Sequence, residues 1–254
     1  MNEISNMPEL SSDSPRMSIP GLDRWLASAA GRCVLEWELA QVDDMIIDVF
    51  GYHALQIGLP QVDYLRANRI PLRQKAGDMS GADFLCEYAA LPIASNSTDL
   101  AVLPHTLEFS DEPHQILREV ERILIPEGQV VVIGFNPLSL WGLKRRFDRS
   151  GEYPWNGSYL SMNRLKDWLK LLGFEVAQGS LGCCIPPLDR LGWLQRWQTV
   201  DPAKEHWWNV SGGIYVLHGI KRMHGMRLIT PNWKKKPAHA KALRPITQKE
   251  THGH

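Results

Sequence analysis

Residues with ligand-binding chemistry follow several short apolar segments in the middle of the chain. Gly58 ends the segment from Ala54, Glu87 ends the segment from Phe84, and His105 comes soon after Leu100–Leu103. A glycine lets the backbone approach a ligand closely, a carboxylate accepts hydrogen bonds, and an imidazole can orient a bound molecule. Ligands bind beyond the carboxyl ends of strands in an open α/β sheet, so these positions indicate a binding site if the segments are strands.

The elements around His105 predict one crossover unit of a parallel sheet. Leu100–Leu103 is typical of a buried strand, and Glu112–Leu124 has the periodicity of an amphipathic helix. The turn Pro126-Glu127-Gly128 then leads into the apolar strand Gln129–Phe135. A strand, a helix and a second strand in this order form a right-handed crossover.

The rest of the chain predicts further alternating helices and strands. Helices are expected over 22–29, 31–50 and 162–172, and strands over 54–58, 69–75, 84–87, 174–177 and 213–220. For the third helix, Ser161 is the expected N-cap and Gly173 the expected left-handed C-cap. This alternation predicts an α/β fold with a mostly parallel sheet. No crossover helix separates the last two strands, so one antiparallel edge pairing is also expected.

The chain from about Tyr52 to Phe135 resembles the class I S-adenosylmethionine-dependent methyltransferases of the type 11 family, and a weaker likeness continues to Ile220. The likeness is clearest at Asp99-Leu100-Ala101-Val102-Leu103, followed by Pro104-His105 and Leu107-Glu108. It implies a Rossmann-like class I methyltransferase fold with seven strands, the last inserted antiparallel beside its predecessor. It also implies S-adenosyl-L-methionine as the cofactor.

The resemblance implies which residues contact the cofactor. The family's first motif, acidic-x-Gly-x-Gly, aligns with Gln56-Ile57-Gly58-Leu59-Pro60. An acid-small pair that contacts adenine aligns with Glu87 and Tyr88, where the carboxylate would accept the adenine amino proton and the ring could stack. The backbone after Leu103 lines the sulfonium side in the family. The predicted cofactor site is therefore Gln56, Gly58, Glu87, Tyr88, Leu103 and His105.

The chain departs from the family pattern at two of these features. Gln56 replaces the acid of the first motif, and Pro60 replaces its second glycine, which removes a backbone N–H and fixes φ. No ribose-binding acid ends the predicted strand 69–75, and Asp78 lies past it. Alternatively, His105 forms structural hydrogen bonds and does not contact a ligand. Asp99 could simply cap a turn, so it is left out of the predicted site.

The sequence is therefore compatible with two functions. The first is a methyltransferase that acts on an unidentified acceptor. Methyl transfer from a sulfonium is an in-line displacement that needs positioning and exclusion of water rather than a fixed triad, so no catalytic residue is assigned. The second is a catalytically inactive protein with the same fold that serves as a binding or scaffold module. Its partner would bind the Trp-rich insertion 183–210, which contains Trp193, Trp197, Trp207 and Trp208.

Composition narrows the possible partners. The 254 residues have a formal net charge of zero, so binding of nucleic acid is not expected. The four cysteines show no metal-ligand spacing, and no metal site is predicted. No apolar run approaches the roughly 20 residues of a bilayer span, and residues 1–20 do not resemble a secretory signal, so no membrane contact and a cytoplasmic location are expected.

Three regions are expected along the chain. They are a flexible arm over 1–20, a methyltransferase-like domain over 21–230, and a basic disordered tail over 231–254. Within the domain, Lys144-Arg145-Arg146 could meet an anionic substrate, although a solvated helix face is the simpler interpretation.

Overall fold

A computed structural model describes residues 21–77, 81–182 and 212–222. The predicted arm (1–20), the Trp-rich insertion (183–210) and the basic tail (231–254) lie outside the described residues.

Five α-helices, seven strands and one short 3₁₀ helix form the described part of the chain. The helices are α1 (Leu22–Ala27), α2 (Ala29–Ile46), α3 (Pro113–Ile123), α4 (Leu140–Phe147) and α5 (Met162–Leu171), and the 3₁₀ helix is Leu107–Phe109. The strands are β1 (His53–Ile57), β2 (Leu72–Gly77), β3 (Phe84–Leu85), β4 (Thr98–Pro104), β5 (Leu124–Phe135), β6 (Phe174–Gly182) and β7 (Ile214–Lys221).

The seven strands form one sheet in the order β3-β2-β1-β4-β5-β7-β6. The pairings from β3 through β5 are parallel, whereas β7 runs antiparallel to both β5 and β6. The predicted α/β fold is therefore confirmed, including the β4-α3-β5 crossover and the antiparallel pairing near one edge. The antiparallel strand is β7, which lies between β5 and the edge strand β6.

The central strands are buried on both faces because helices cover each side of the sheet. In β4, Leu100 and Val102 pack with residues of α2, whereas Ala101 and Leu103 pack with residues of α3 and α5. This alternation is the period of two that a pleated strand imposes. Both sets of side chains are apolar, which explains why β4 appears in the sequence as a continuous apolar run.

Side-chain hydrogen bonds fix the boundaries of α2 and β1. The amide of Asn68 donates to the carbonyls of Ile46 (2.6 Å) and Val49 (3.0 Å), so α2 ends at Ile46 rather than at the predicted residue 50. At the start of β1, the Asp99 carboxylate accepts the backbone N–H groups of Tyr52 (2.8 Å) and His53 (2.9 Å). Asp99 thus has a structural role.

Two other boundaries differ from the predicted ones because strand pairing decides them. β2 pairs residue by residue with β1 from Leu72 to Ala76 and ends at Gly77, so the residue that follows it in the sequence is Asp78, outside the described residues. The predicted turn at 126–128 lies inside β5 as an irregularity. Thr98 pairs with Leu124 but Leu100 pairs with Gln129, so residues of β5 bulge out between these pairs.

Candidate functional site

The carboxyl ends of β1, β2 and β4 meet at one edge of the sheet. The N–H of Gly58, which follows β1, donates to the carbonyl of Ala76 in β2 (3.0 Å). The hydroxyl of Thr106, which follows β4, donates to the carbonyl of Ile57 at the end of β1 (2.5 Å). The three loops are thus tied to one another, and this edge is where an open α/β sheet binds its ligands.

Gly58 occupies a position in this edge that a larger residue would disturb. Its φ is +90°, a left-handed conformation that favours glycine. A Cβ atom on residue 58 would also lie 2.8 Å from Oγ1 of Thr106. The glycine that the first motif retains is therefore required by the backbone and by the neighbouring loop, apart from any ligand.

Gln56 is fully buried, and its side chain holds the loop that follows β1. Its Nε2 group lies within hydrogen-bonding distance of the carbonyls of Gly58 (3.0 Å), Leu59 (3.0 Å) and Val62 (2.9 Å), which share its two hydrogens. Its Oε1 atom accepts the N–H of Tyr64 (3.0 Å). These bonds occupy both ends of the amide. An ionised carboxylate could not donate in this way, so the loop is built around an amide at this position.

Pro60 fills part of the space between the ends of β1 and β2. It is buried, and Leu59 before it is buried with a φ of +43°. A Cβ atom on Gly77 would lie 3.3 Å from Cγ of Pro60 and 2.9 Å from Cβ of Ala82. The second departure from the family motif therefore places an apolar ring against the end of β2.

The other predicted residues of the cofactor site lie along the same edge with different exposure. Glu87 is exposed and Tyr88 is half-buried, with its ring against the core on the α3 side of the sheet. The side chain of Leu103 is fully buried in that core. Leu103 can therefore reach a ligand through its backbone only.

His105 lies at the end of β4 with its side chain directed into the protein, 2% exposed. Its Nε2 atom lies 2.8 Å from Oε1 of Glu38 in α2, and its Nδ1 atom lies 2.8 Å from Oε2 of Glu108 in the 3₁₀ helix. The second oxygen of Glu38 accepts the hydroxyl proton of Tyr64 (2.8 Å), and that of Glu108 accepts the N–H of Phe135. All four carboxylate oxygens are thus used as acceptors.

This arrangement favours the protonated imidazolium, because only that form donates from both ring nitrogens. Burial alone would lower the pKa of His105, but the carboxylates of Glu38 and Glu108 outweigh it and raise the pKa to about 10. Burial raises the pKa of Glu108 above its usual value, against the opposing effects of His105 and the Phe135 N–H. His105 therefore carries its extra proton at neutral pH.

Aromatic rings surround this buried charge cluster. Phe135 lies 4.4 Å from His105 between ring centroids, and Tyr153 lies 6.4 Å away with its ring nearly perpendicular. The Tyr153 hydroxyl is buried and has no hydrogen-bond partner among the described residues. Tyr153 also lines a pocket of about 120 Å³ with Trp25, Trp141 and other residues. This pocket therefore lies next to the charge cluster.

The basic run 144–146 belongs to α4 and two of its members contact aromatic rings. Nζ of Lys144 lies 4.4 Å from the centre of the Trp155 ring, and the guanidinium of Arg145 lies 5.1 Å from that of Tyr159. Arg146 is exposed. Lys144 and Arg145 are thus half-buried cation–π partners, which the interpretation as a solvated helix face did not anticipate.

Sequence reasoning missed three residues of this region: Glu38, Tyr64 and Thr106. A signal was present for the first. Glu38 stands four residues from Val34 and from Val42, which both lie on the buried face of α2. A carboxylate on such a face must find partners in the interior. Tyr64 and Thr106 carry no comparable signal, because their contacts depend on loops whose course local sequence does not specify.

The described residues contain neither a cluster of metal ligands nor a membrane-spanning helix. Within residues 21–77, 81–182 and 212–222, no group of three or more His, Cys, Asp or Glu side chains is placed to bind a metal ion. In the same ranges, no helix is long and apolar enough to cross a membrane.

Comparisons with known proteins agree with the fold. Residues 59–132 match the family model described as a methyltransferase domain. The uncharacterized protein YafS of Escherichia coli (strain K12) is 31% identical over 153 residues, which are 55% of this chain. The matched region spans 60% of the length of that relative.

Solved structures share the same sheet. One is a Thermotoga maritima protein described as a SAM-dependent methyltransferase and possible histamine N-methyltransferase, with 20% identity and a TM-score of 0.58 over 79% of this chain and 94% of that one. Another is a chain of the complex between the Haloferax volcanii Trm112 methyltransferase activator and a putative methyltransferase, with 17% identity and a TM-score of 0.56 over 80% and 96% of the two chains. The domain therefore has the Rossmann-like fold of these solved structures, and residues 59–132 within it match the methyltransferase domain model.

Proposed function

We propose that this domain binds S-adenosyl-L-methionine at the carboxyl edge of its sheet and transfers the methyl group to an acceptor. The observation that carries the proposal is the family match over residues 59–132, which spans the loop after β1 and the ends of β2, β3 and β4. The same loops are joined to one another at this edge through Gly58 and Thr106.

Particular residues fit the cofactor. Gly58 offers bare backbone at the end of β1, and its φ of +90° turns the chain away from the strand. Glu87 is exposed and free to accept the adenine amino group, while the half-buried ring of Tyr88 offers a face for stacking. Leu103 and His105 would contribute backbone on the sulfonium side. Gln56 would act through the loop that it holds rather than by direct contact.

When bound, the cofactor supplies an activated methyl group, and the protein's task is to orient the acceptor and exclude water. The buried cluster of Glu38, His105 and Glu108 serves the first task by fixing the end of β4. His105 is a positioning residue rather than a general base, because it is protonated at neutral pH and both nitrogens are engaged. The pocket at Trp25, Trp141 and Tyr153 is the proposed acceptor entrance.

Calorimetric titration with S-adenosylmethionine and S-adenosylhomocysteine tests cofactor binding. We expect micromolar affinity for both. In the variant Glu87→Ala, binding should weaken by roughly 1.5–3 kcal/mol, the scale of a hydrogen bond to a charged group. Glu36→Ala, which removes an exposed carboxylate on α2, is the matched control and should leave affinity unchanged. A folded protein that binds neither compound would refute the proposal.

A second candidate function is supported by one feature of the first loop. Gln56 and Pro60 both replace motif residues, and Pro60 fills space beside Gly77. A module that retains the fold but has lost the cofactor would show these changes. Its partner would bind the Trp-rich insertion 183–210, which lies outside the described residues. This alternative predicts no cofactor binding together with retention of a protein partner that is lost when residues 183–210 are replaced by a short linker.

A further inference from the structure

Helix α4 has apolar side chains on two opposite faces. Trp141 is buried and Arg145 is half-buried, and these two residues, four apart, face the protein. Leu140, Leu143 and Phe147 are 53%, 54% and 75% exposed, and their spacing of three and four residues places them on one face. Leu138, which precedes the helix, is 81% exposed. A surface helix normally has one apolar face. The fold therefore does not explain the second, outward apolar face of α4.

The outer face is held in place by the inner one. The Ser139 hydroxyl caps the helix by accepting the N–H groups of Trp141 (3.2 Å) and Gly142 (3.3 Å). It also donates to the carbonyl of Asn136 (2.6 Å), which joins the cap to the end of β5. With Trp141 only 1% exposed, α4 is anchored with Leu140, Leu143 and Phe147 directed outward.

Basic residues flank the outer apolar face. At about 100° per residue, Lys144 projects on one side of the line through Leu140, Leu143 and Phe147, and Arg146 projects on the other. Arg149 follows the helix and is exposed. The one acid between Leu138 and Arg149 is Asp148, whose carboxylate accepts the N–H and hydroxyl of Ser150. An apolar stripe with cations on both sides is the pattern of a helix that lies in a lipid–water interface.

We propose that the outer face of α4 docks on a membrane surface that contains anionic lipids. Leu138, Leu140, Leu143 and Phe147 would enter the boundary between headgroups and acyl chains, while Arg146 and Arg149 would pair with lipid phosphates. A second copy of the chain is a poorer occupant, because both flanks of the face are basic and any symmetric pairing would bring cations together. The proposal is independent of the methyl-transfer reaction, and it revises the expectation of no membrane contact, which considered a bilayer span and a secretory signal but not a helix lying on the membrane surface.

Vesicle co-sedimentation of the whole chain tests the proposal. Vesicles of phosphatidylglycerol and phosphatidylcholine should bind the protein at low salt, pure phosphatidylcholine vesicles should bind it weakly, and added salt should release it. Phe147→Glu and Leu143→Glu should each lower the partition coefficient about tenfold or more, since each places a charge where an apolar group would enter the lipid. Arg146→Glu should lower it on anionic vesicles alone.

The matched control is Phe50→Glu, because Phe50 is 74% exposed and no Lys or Arg stands between Ile47 and Tyr52. It should bind vesicles as the unmodified protein does. Circular dichroism and melting temperature would verify that each variant is folded, and Phe147→Ser is a milder substitute.

Four results would overturn the proposal. The first is failure of the unmodified protein to pellet with anionic vesicles. The second is pelleting of the α4 variants equal to that of the control, which would assign any lipid binding to another part of the chain. A melting temperature lowered by Phe147→Glu, with vesicle binding unchanged, would show that another part of the chain covers this face. A protein partner lost in the same variants, without vesicle binding, would assign the face to protein recognition.

Discussion

The Nε2 atom of His105 lies 2.8 Å from the Oε1 atom of Glu38, a residue 67 positions earlier in the chain. This contact joins the end of β4 to the middle of α2 on one face of the sheet. Glu108 holds the other ring nitrogen at 2.8 Å. The position of the β4 end is thus set by a buried charge cluster in addition to the strand pairing.

The charge cluster predicts how stability depends on pH. The pKa of His105 is raised from 6.5 to about 10 in the folded protein, so the folded state holds this proton more tightly than the unfolded chain does. The stabilisation is complete below pH 6.5 and is lost as the pH rises through about 10. Denaturant unfolding at several pH values in this window should show a falling free energy of unfolding.

His105→Gln is the variant that isolates this effect. It should be less stable than the unmodified protein at pH 7, and its free energy of unfolding should vary much less across the same window. The histidine resonances supply a second check. Those of His105 should not titrate between about pH 6 and 8, because its pKa lies well above the usual 6.5. A titration near pH 6.5 would contradict the proposed imidazolium.

Tyr64→Phe should lower the free energy of unfolding by roughly 1.5–3 kcal/mol, because Glu38 would lose one of two donors to a buried carboxylate. The hydroxyl of Tyr64 lies 2.8 Å from Oε2 of Glu38. Tyr52→Phe is the control, since Tyr52 is 76% exposed, and urea denaturation would measure both. Equal stability of the two variants would mean that the Tyr64 hydroxyl adds nothing to the cluster.

Gln56→Glu, which introduces an acid like that of the family motif, should destabilise this chain. The carboxylate would face the carbonyl oxygens of Gly58, Leu59 and Val62, which now accept from the amide. We expect a loss of at least about 2 kcal/mol in the free energy of unfolding and no gain in cofactor affinity. Gln178→Glu, on the exposed side of β6, should change little. Tighter cofactor binding by Gln56→Glu would show that the loop is decayed rather than specialised.

Gly58→Ala should cost more stability than Gly151→Ala. Both residues have positive φ, +90° and +68°, so both variants lose about 1 kcal/mol from the backbone. A Cβ on residue 151 meets nothing within 4 Å, whereas one on residue 58 lies 2.8 Å from Oγ1 of Thr106. Thermal denaturation of the two variants gives the difference directly, and equal losses would indicate that the Thr106 loop adjusts freely.

The sequence predicted the parts of the fold that depend on local pattern. The β4-α3-β5 crossover is an example, because the apolar run at Leu100–Leu103 and the amphipathic helix 113–123 each have one clear period. Gly173, with a φ of +85°, is the left-handed C-cap residue that was expected after α5. Such features need no knowledge of distant residues.

The parts that it did not predict depend on pairing between distant segments. β2 occupies 72–77 rather than 69–75 because it takes its register from β1. The sequence shows Glu38 as a charged residue on the apolar face of a helix. Its partner His105 becomes evident only when α2 packs on β4. The assignment of cofactor contacts to Glu87 and Tyr88 stays a prediction, because it depends on a bound molecule.

The place of β7 in the sheet has a consequence for the order of folding. β7 is the last strand along the described chain, yet it lies between β5 and β6 and pairs with both. Until residues 214–221 leave the ribosome, β5 and β6 each present an unpaired backbone edge, and such edges promote aggregation. Synthesis that stalls before Ile214 would therefore leave a nascent chain that needs chaperone protection, even though five of its strands could already be paired.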